Sequence, residues 1–259
     1  MRTTAVIPVV HRSGAVRAAI RRGLPRRGFK VVAARSVERV MTLLERTLVD
    51  AVVVDVAAGW AEAAFALIRS YPRIPVFALS RFRPDHGALL AACRQAPVAG
   101  ILVEGVDNPV AGEVIAAGAA SSARRMALQN APRLLRLTEP LQLAAWHEVL
   151  NRAGGPVTTT EIAHAVGRTR EHLSREFAAG GAPNLKRVID LVRAAWAADL
   201  LGNPPYSVTM VSELLGYSSP SHLSGSAKRV AGVRAGELGG LGPAGVLEQF
   251  IRGRTRSRL

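Results

Sequence analysis

The chain has 259 residues, 49% of them hydrophobic, which is enough for two domains that each bury a core and excludes a disordered tail. Lys and Arg outnumber Asp and Glu 34 to 19, giving a formal charge of +15 and a pI near 11.5, so a polyanionic partner is expected, nucleic acid ahead of a membrane surface. The single cysteine, Cys93, excludes an internal disulfide and a multi-thiolate zinc site, and no apolar run reaches the roughly 20 residues that span a bilayer. With no small-residue cleavage site after the apolar run ending at Val10, a cytoplasmic protein without a membrane partner is expected.

In chain order, Thr4–Val10, Lys30–Ala33, Ala51–Val56, Pro75–Ala78 and Gly100–Val103 read as strands. The third and fifth are apolar almost throughout, as strands covered on both faces should be. Between them Ala15–Arg22, Val37–Arg46, Trp60–Arg69 and Asp85–Arg94 read as helices, and a last helix runs from Val110 to about Leu128 behind the Asn108-Pro109 cap. Five βα units in series predict an α/β domain over residues 1–122, a five-stranded parallel sheet with helices on both faces and a flavodoxin-like strand order. Residues 123–138 read as the end of that helix and a linker. From Pro140 the strand signal is gone, and 139–242 read as an all-α domain, followed by a basic helix or tail over 243–259.

The helical half holds one pattern twice. A capped short helix, Val157 to Val166, ends at Gly167 and leads into a second helix, Thr169–Ala178. Ser207 to Leu215 ends at Gly216 and leads into Ser219–Val230. Each copy is a helix-turn-helix, whose second helix can enter the major groove, and the long helix Leu185–Leu201 joins them. On the first reading helix the solvent-facing candidates are Arg170, Glu171, Ser174 and Arg175. Arginine can pair with guanine and glutamate can accept from cytosine, although each residue also reads as part of a solvated face. Leu173 and Phe177 read as core, and His172 between them as packed. On the second reading helix the candidates are Ser221, His222 and Ser224, with Lys228 and Arg229 near the backbone. Thr158 and Thr160 read first as helix caps, and Arg252, Arg254, Arg256 and Arg258 as a basic end that can add phosphate contacts.

The second copy reads Gly216-Tyr217-Ser218-Ser219-Pro220-Ser221-His222-Leu223-Ser224, with Lys228-Arg229 and Gly232 downstream. The first carries Ile162-Ala163 and Thr169 to Phe177. In these residues the chain resembles the AraC/XylS family of transcription regulators, over about Leu137–Leu241. That resemblance implies seven helices in two subdomains that touch successive major-groove faces of one DNA segment. Gly225, Ala227 and Ala235 depart from the family pattern, so the second subdomain is expected to be the weaker reader.

The first half resembles response-regulator receiver domains in Asp50 to Asp55 and Ile74 to Ser80. Asp55 stands where the family accepts phosphate, and Ser80 where it has a hydroxyl. His11-Arg12 replaces the family's acidic pair, and Glu104 its lysine. An aspartyl phosphorylation site needs a divalent ion held by carboxylates, so this reads as a pseudo-receiver, with Arg12 expected to pair with Asp55 or to repel a cation. The chain shows no glycine-rich phosphate loop or nucleophile elbow, and its six histidines are scattered. Neither enzyme activity, cofactor nor metal is therefore expected. The expected function is sequence-specific regulation on double-stranded promoter DNA, with RNA polymerase as a partner and a homodimer formed through the first domain. The alternatives are a phosphorylation-dependent response regulator using Asp55 and a non-specific architectural DNA binder.

Overall fold

The computed structural model describes residues 5–26, 28–120 and 123–256, and the chain divides into two compact units, Thr4–Ser122 and Ala123–Leu259. Thr4 and Arg258, named in the expectations above, and Ser121 and Ser122, within the helix expected from Val110 to about Leu128, lie outside the described residues.

The first unit alternates β1 (Ala5–Val10), α1 (Gly14–Gly23), β2 (Phe29–Ala34), α2 (Val37–Leu44), β3 (Val52–Asp55), α3 (Ala61–Ser70), β4 (Val76–Ser80), α4 (Gly87–Gln95), β5 (Gly100–Val103) and α5 (Ala111–Ala120). All strand pairs are parallel, in the order β2-β1-β3-β4-β5, the flavodoxin-like order expected from the sequence. The reason lies in the apolar runs: Val52, Val53 and Val54 are fully buried, which requires cover on both faces of the sheet. On one face Ile7, Val9, Val53, Phe77 and Leu79 pack with Val16 and Ile20 of α1 and Ile115 of α5. Where α1 and α5 cross, Gly23 meets Gly112 backbone to backbone. A Cβ on residue 112 would lie 2.2 Å from the Gly23 carbonyl carbon. The register sets Asp55 opposite Leu79 and Ser80 opposite Val103, so Asp55 and Ser80 come to the carboxyl edge of the sheet. Open α/β sheets place their sites at that edge.

The second unit begins with α6 (Ala123–Leu128) and α7 (Ala131–Leu134). This corrects the expectation of a linker over 123–138. Leu128, Ala131, Leu135 and Leu137 are buried: the two short helices and the turn after them carry their apolar side chains into the core. Then come α8 (Pro140–Arg152), α9 (Thr159–Ala165), α10 (Arg170–Phe177), α11 (Leu185–Leu201), α12 (Val208–Leu214), α13 (Pro220–Ala231) and α14 (Leu238–Arg256), the last kinked at Gly242-Pro243. Helix α11 is the axis of this unit: its residues from Leu191 to Leu200 are all buried, including Arg193 and Asp199. The stretch 243–259, read as a basic helix or tail, lies largely in α14 and contributes Val246, Leu247 and Phe250 to the core.

Candidate functional site

The two helix-turn-helix copies have the same local construction. In the first, Thr158 caps α9 by accepting the Glu161 N–H at 3.2 Å, and the Glu161 carboxylate accepts the Thr158 N–H at 2.8 Å. The Thr158 hydroxyl also donates to that carboxylate at 2.8 Å, and this bond, with the one from the Thr158 N–H, holds the Glu161 carboxyl below its ordinary value. Thr158 is the cap, and Thr160 lies within the first turn of the helix. The chain leaves α9 through Gly167 at φ +67, and the Arg168 N–H returns to the Ala163 carbonyl at 2.9 Å. In the second copy Ser207 caps α12, Gly216 sits at φ +63, and the Tyr217 N–H returns to the Ser212 carbonyl at 2.8 Å. Both turns need a residue that tolerates the left-handed region, which is why glycine stands at each. At Gly216 a side chain would also strike the Pro156 ring, 2.7 Å from a Cβ.

Thr169 and Ser219 then cap the reading helices, each accepting the N–H three residues on, from His172 and His222. On α10 the structure exposes Arg170, Glu171, Ser174 and Arg175 on one side and buries Leu173 and Phe177 on the other, with His172 half-buried. On α13 it exposes Ser221, His222, Lys228 and Arg229, and half-buries Ser224. Beside Gly225 an open groove of about 600 Å³ is lined by Val208, Ser224, Lys228 and Arg234. Ala227 and Ala235 are buried small side chains, so both departures from the family pattern fall in the core. At the chain end, Arg252 lies within 3.7 Å of Glu248 on the same helix.

Side chains tie both reading helices to the rest of the unit. The buried Gln142 amide of α8 donates to the Phe177 carbonyl at 2.9 Å and the Ala179 carbonyl at 3.2 Å, fixing the end of α10. Arg193 of α11 donates to the Leu215 carbonyl at 2.9 Å, and its guanidinium lies 3.9 Å from the centre of the Tyr217 ring.

At the carboxyl edge of the sheet in the first unit, His11, Asp55, Ser80 and Glu104 come together. His11 Nε2 is 3.6 Å from Asp55 Oδ2 and 3.5 Å from Glu104 Oε2, in a pocket where the imidazole is 4% exposed and each carboxylate 13%. The ring's Nδ1 accepts the Ser13 N–H at 3.0 Å, and Nε2 is the ring atom that faces the two acids, without a hydrogen bond to either. Asp55 Oδ1 accepts the Ala57 N–H, and Arg81 donates to Glu104 Oε1 at 3.2 Å. Ser80 is buried at the end of β4. It is therefore His11 that stands beside Asp55, a correction to the pairing expected of Arg12. The Arg12 guanidinium lies 5.7 Å from the centre of the Trp60 ring, Arg12 standing in the bend between β1 and α1. Sequence reading missed Arg81. It follows Ser80 directly, and nothing in the spacing announces a partner 23 residues on. Among the described residues no set of three or more His, Cys, Asp or Glu side chains is arranged to hold a metal ion.

No family model matches the chain, and no curated protein matches it. Among solved structures it is similar to a response regulator from Thermotoga maritima, at 22% identity and a TM-score of 0.40, covering 46% of this chain and 99% of that one. It is also similar to full-length FixJ from B. japonicum, at 15% identity and a TM-score of 0.39, covering 90% and 100%. A third is RcsB from Salmonella enterica serovar Typhimurium bound to the promoter rprA, at 17% identity and a TM-score of 0.37, covering 71% and 97%. No helix among the described residues is long and apolar enough to cross a membrane.

Proposed function

We propose that this chain is a non-catalytic, sequence-specific double-stranded-DNA-binding transcription regulator of the AraC/XylS type. The observation that carries the reading is the repetition of one capped, glycine-turned helix pair on either side of α11, with Gly216 − Gly167 = 49 residues between equivalent turns. Each copy turns a polar helix face outward, and the first of these faces carries two arginines and a glutamate. In this reading α10 supplies base contacts through Arg170, Glu171, Ser174 and Arg175. Helix α13 supplies base contacts through Ser221, His222 and Ser224 and phosphate contacts through Lys228 and Arg229.

The first unit serves as a phosphorylation-independent regulatory and dimerisation domain. His11 stands beside Asp55 where the receiver family has an acidic pair, and the exposed valines Val106 and Val110 before α5 and Val114 on it offer apolar surface for a second copy. The protein acts in the cytoplasm and works with RNA polymerase. The test is to select bound sequences from a random duplex library with the full chain and to compare the selected duplex with a scrambled one at fixed salt. A specific complex tighter by about 10³ or more supports a regulator. Equal affinities point instead to the architectural role that the +15 charge would also serve.

A further inference from the structure

The second reading helix has a device that the first lacks. His222 stands on the exposed face of α13, one turn from its cap. Its Nδ1 is 3.0 Å from the Ser218 hydroxyl, and its ring meets the Tyr217 ring edge to face, at 5.4 Å between centroids and 85° between planes. Tyr217 is itself held: it is buried, and Arg193 of α11 lies 3.9 Å from its ring centre while donating to the Leu215 carbonyl just before the turn. An exposed imidazole ordinarily samples several rotamers and two tautomers. Here one ring nitrogen is engaged inside the motif and one ring edge is fenced, so the remaining nitrogen, Nε2, is left for an outside ligand.

We propose that His222 is a specificity-determining residue of the second helix-turn-helix, positioned by Ser218 and Tyr217 so that Nε2–H donates to an acceptor on the major-groove edge of a purine. The inference rests on the DNA-reading function proposed above. The chemistry follows from the donor inventory. When the Ser218 hydroxyl donates to Nδ1, the ring proton resides on Nε2. Guanine offers N7 and O6 as acceptors in the major groove, and adenine offers N7. Because α13 carries glycine at 225 and serines at 221 and 224, His222 is its one large side chain on the turn that faces outward near the cap. A fixed proton position there discriminates where a freely rotating ring would not. Ser218 and Tyr217 act through the imidazole and are positioning residues, and Arg193 steadies Tyr217 from the helix that both motifs share.

The test uses the full chain and random duplex selection with the wild type, His222→Ala, Ser218→Ala, the double variant and Tyr217→Phe. His222→Ala is expected to relax one purine preference, about fivefold for one lost hydrogen bond, in the half of the site that Arg175→Ala leaves intact. Ser218→Ala should relax the same position by less, and the double variant should be no worse than His222→Ala alone. Tyr217→Phe, which keeps the ring, should preserve the preference. In the DNA-free protein, imidazole nitrogen chemical shifts should show the Nε2–H tautomer at His222, and Ser218→Ala should mix the tautomers. Unchanged preferences in His222→Ala, uniform weakening on all sequences, or fully additive losses in the double variant would each overturn the proposal while leaving the DNA-binding reading intact. A wild type that selects no motif would bring down the DNA-reading function itself, and the nitrogen shifts would then report whether Ser218 still sets the tautomer.

Discussion

Arg124 reaches Asp199 across 3.5 Å in the interior of the second unit, with the two side chains 6% and 5% exposed and the residues 75 positions apart in the chain. The guanidinium also lies 5.4 Å from the centre of the Trp196 ring. The pair pins α6, the first helix of this unit, to the axis helix α11. Removing one partner leaves a charge stranded in low dielectric, whereas removing both does not.

Asp199→Ala is therefore expected to destabilise the second unit by about 3–5 kcal/mol, and Arg124→Met with Asp199→Leu to recover much of that loss. Urea denaturation followed by tryptophan fluorescence measures both. A double variant as unstable as the single one would show that the pair itself, and not the stranded charge, sets the cost.

At the sheet edge, His11 between Asp55 and Glu104 has a chemical consequence. If the first unit is phosphorylation-independent as proposed, acetyl phosphate with Mg²⁺ is expected neither to modify Asp55 nor to change DNA affinity, because His11 lies 3.6 Å from Asp55 where the receiver family has an acidic pair, and Glu104 would repel the incoming phosphoryl group. Intact-mass spectrometry and binding assays check the two parts. An acid-labile adduct on Asp55 would restore the phosphorylation-dependent alternative.

Arg175→Ala should weaken binding to the selected duplex by about 1–3 kcal/mol and binding to random duplex much less, since a base-edge pair is lost but most phosphate contacts remain. The exposed position of Arg175 on α10 makes a folding defect an unsuitable explanation. Equal losses on both duplexes would reassign it to the DNA backbone.

Burial pushes the Tyr217 phenol above its ordinary value of 10.0. The folded state thus holds the neutral form more tightly than the unfolded chain does. Its contribution to stability is complete below pH 10 and falls as the pH rises toward the folded-state value. Chemical denaturation at increasing alkaline pH should show stability of the second unit declining, and Tyr217→Phe should flatten that decline. A slope unchanged in Tyr217→Phe would assign the decline to other groups.

Much of this molecule is legible in the sequence where burial is extreme. Strand β3 sits inside its apolar run, because a strand covered on both faces leaves no polar position to blur its pattern; β5 occupies the expected residues but is an edge strand with only Leu102 buried, so the expectation that it too is covered on both faces is corrected. The reading-helix faces are legible for the related reason that α10 and α13 are half buried at helical spacing. Segment 123–138 was not, because Pro132 and several arginines mask a leucine face that tertiary packing selects. Helix α14 hides behind Gly239, Gly240, Gly242 and Gly245, although Gly239 is required by its approach to the Leu201 carbonyl, 2.3 Å from a Cβ. At the sheet edge, the choice between His11 and Arg12 turns on how the chain bends between β1 and α1, and residue type alone does not carry that.

The burial of α11 on nearly all sides has a consequence for motion. A helix whose every flank belongs to a neighbour cannot fray sideways, so its interior amides exchange with solvent through one large opening rather than through local breathing. Because Arg193 of this helix is bonded into the turn of the second motif, and Gln142 of α8 into the end of the first reading helix, that opening carries both motifs with it. In deuterium exchange, protected amides on α10, α11 and α13 are expected to decay together, as a single cooperative block, while the amides of β1 and β3 follow a clock of their own.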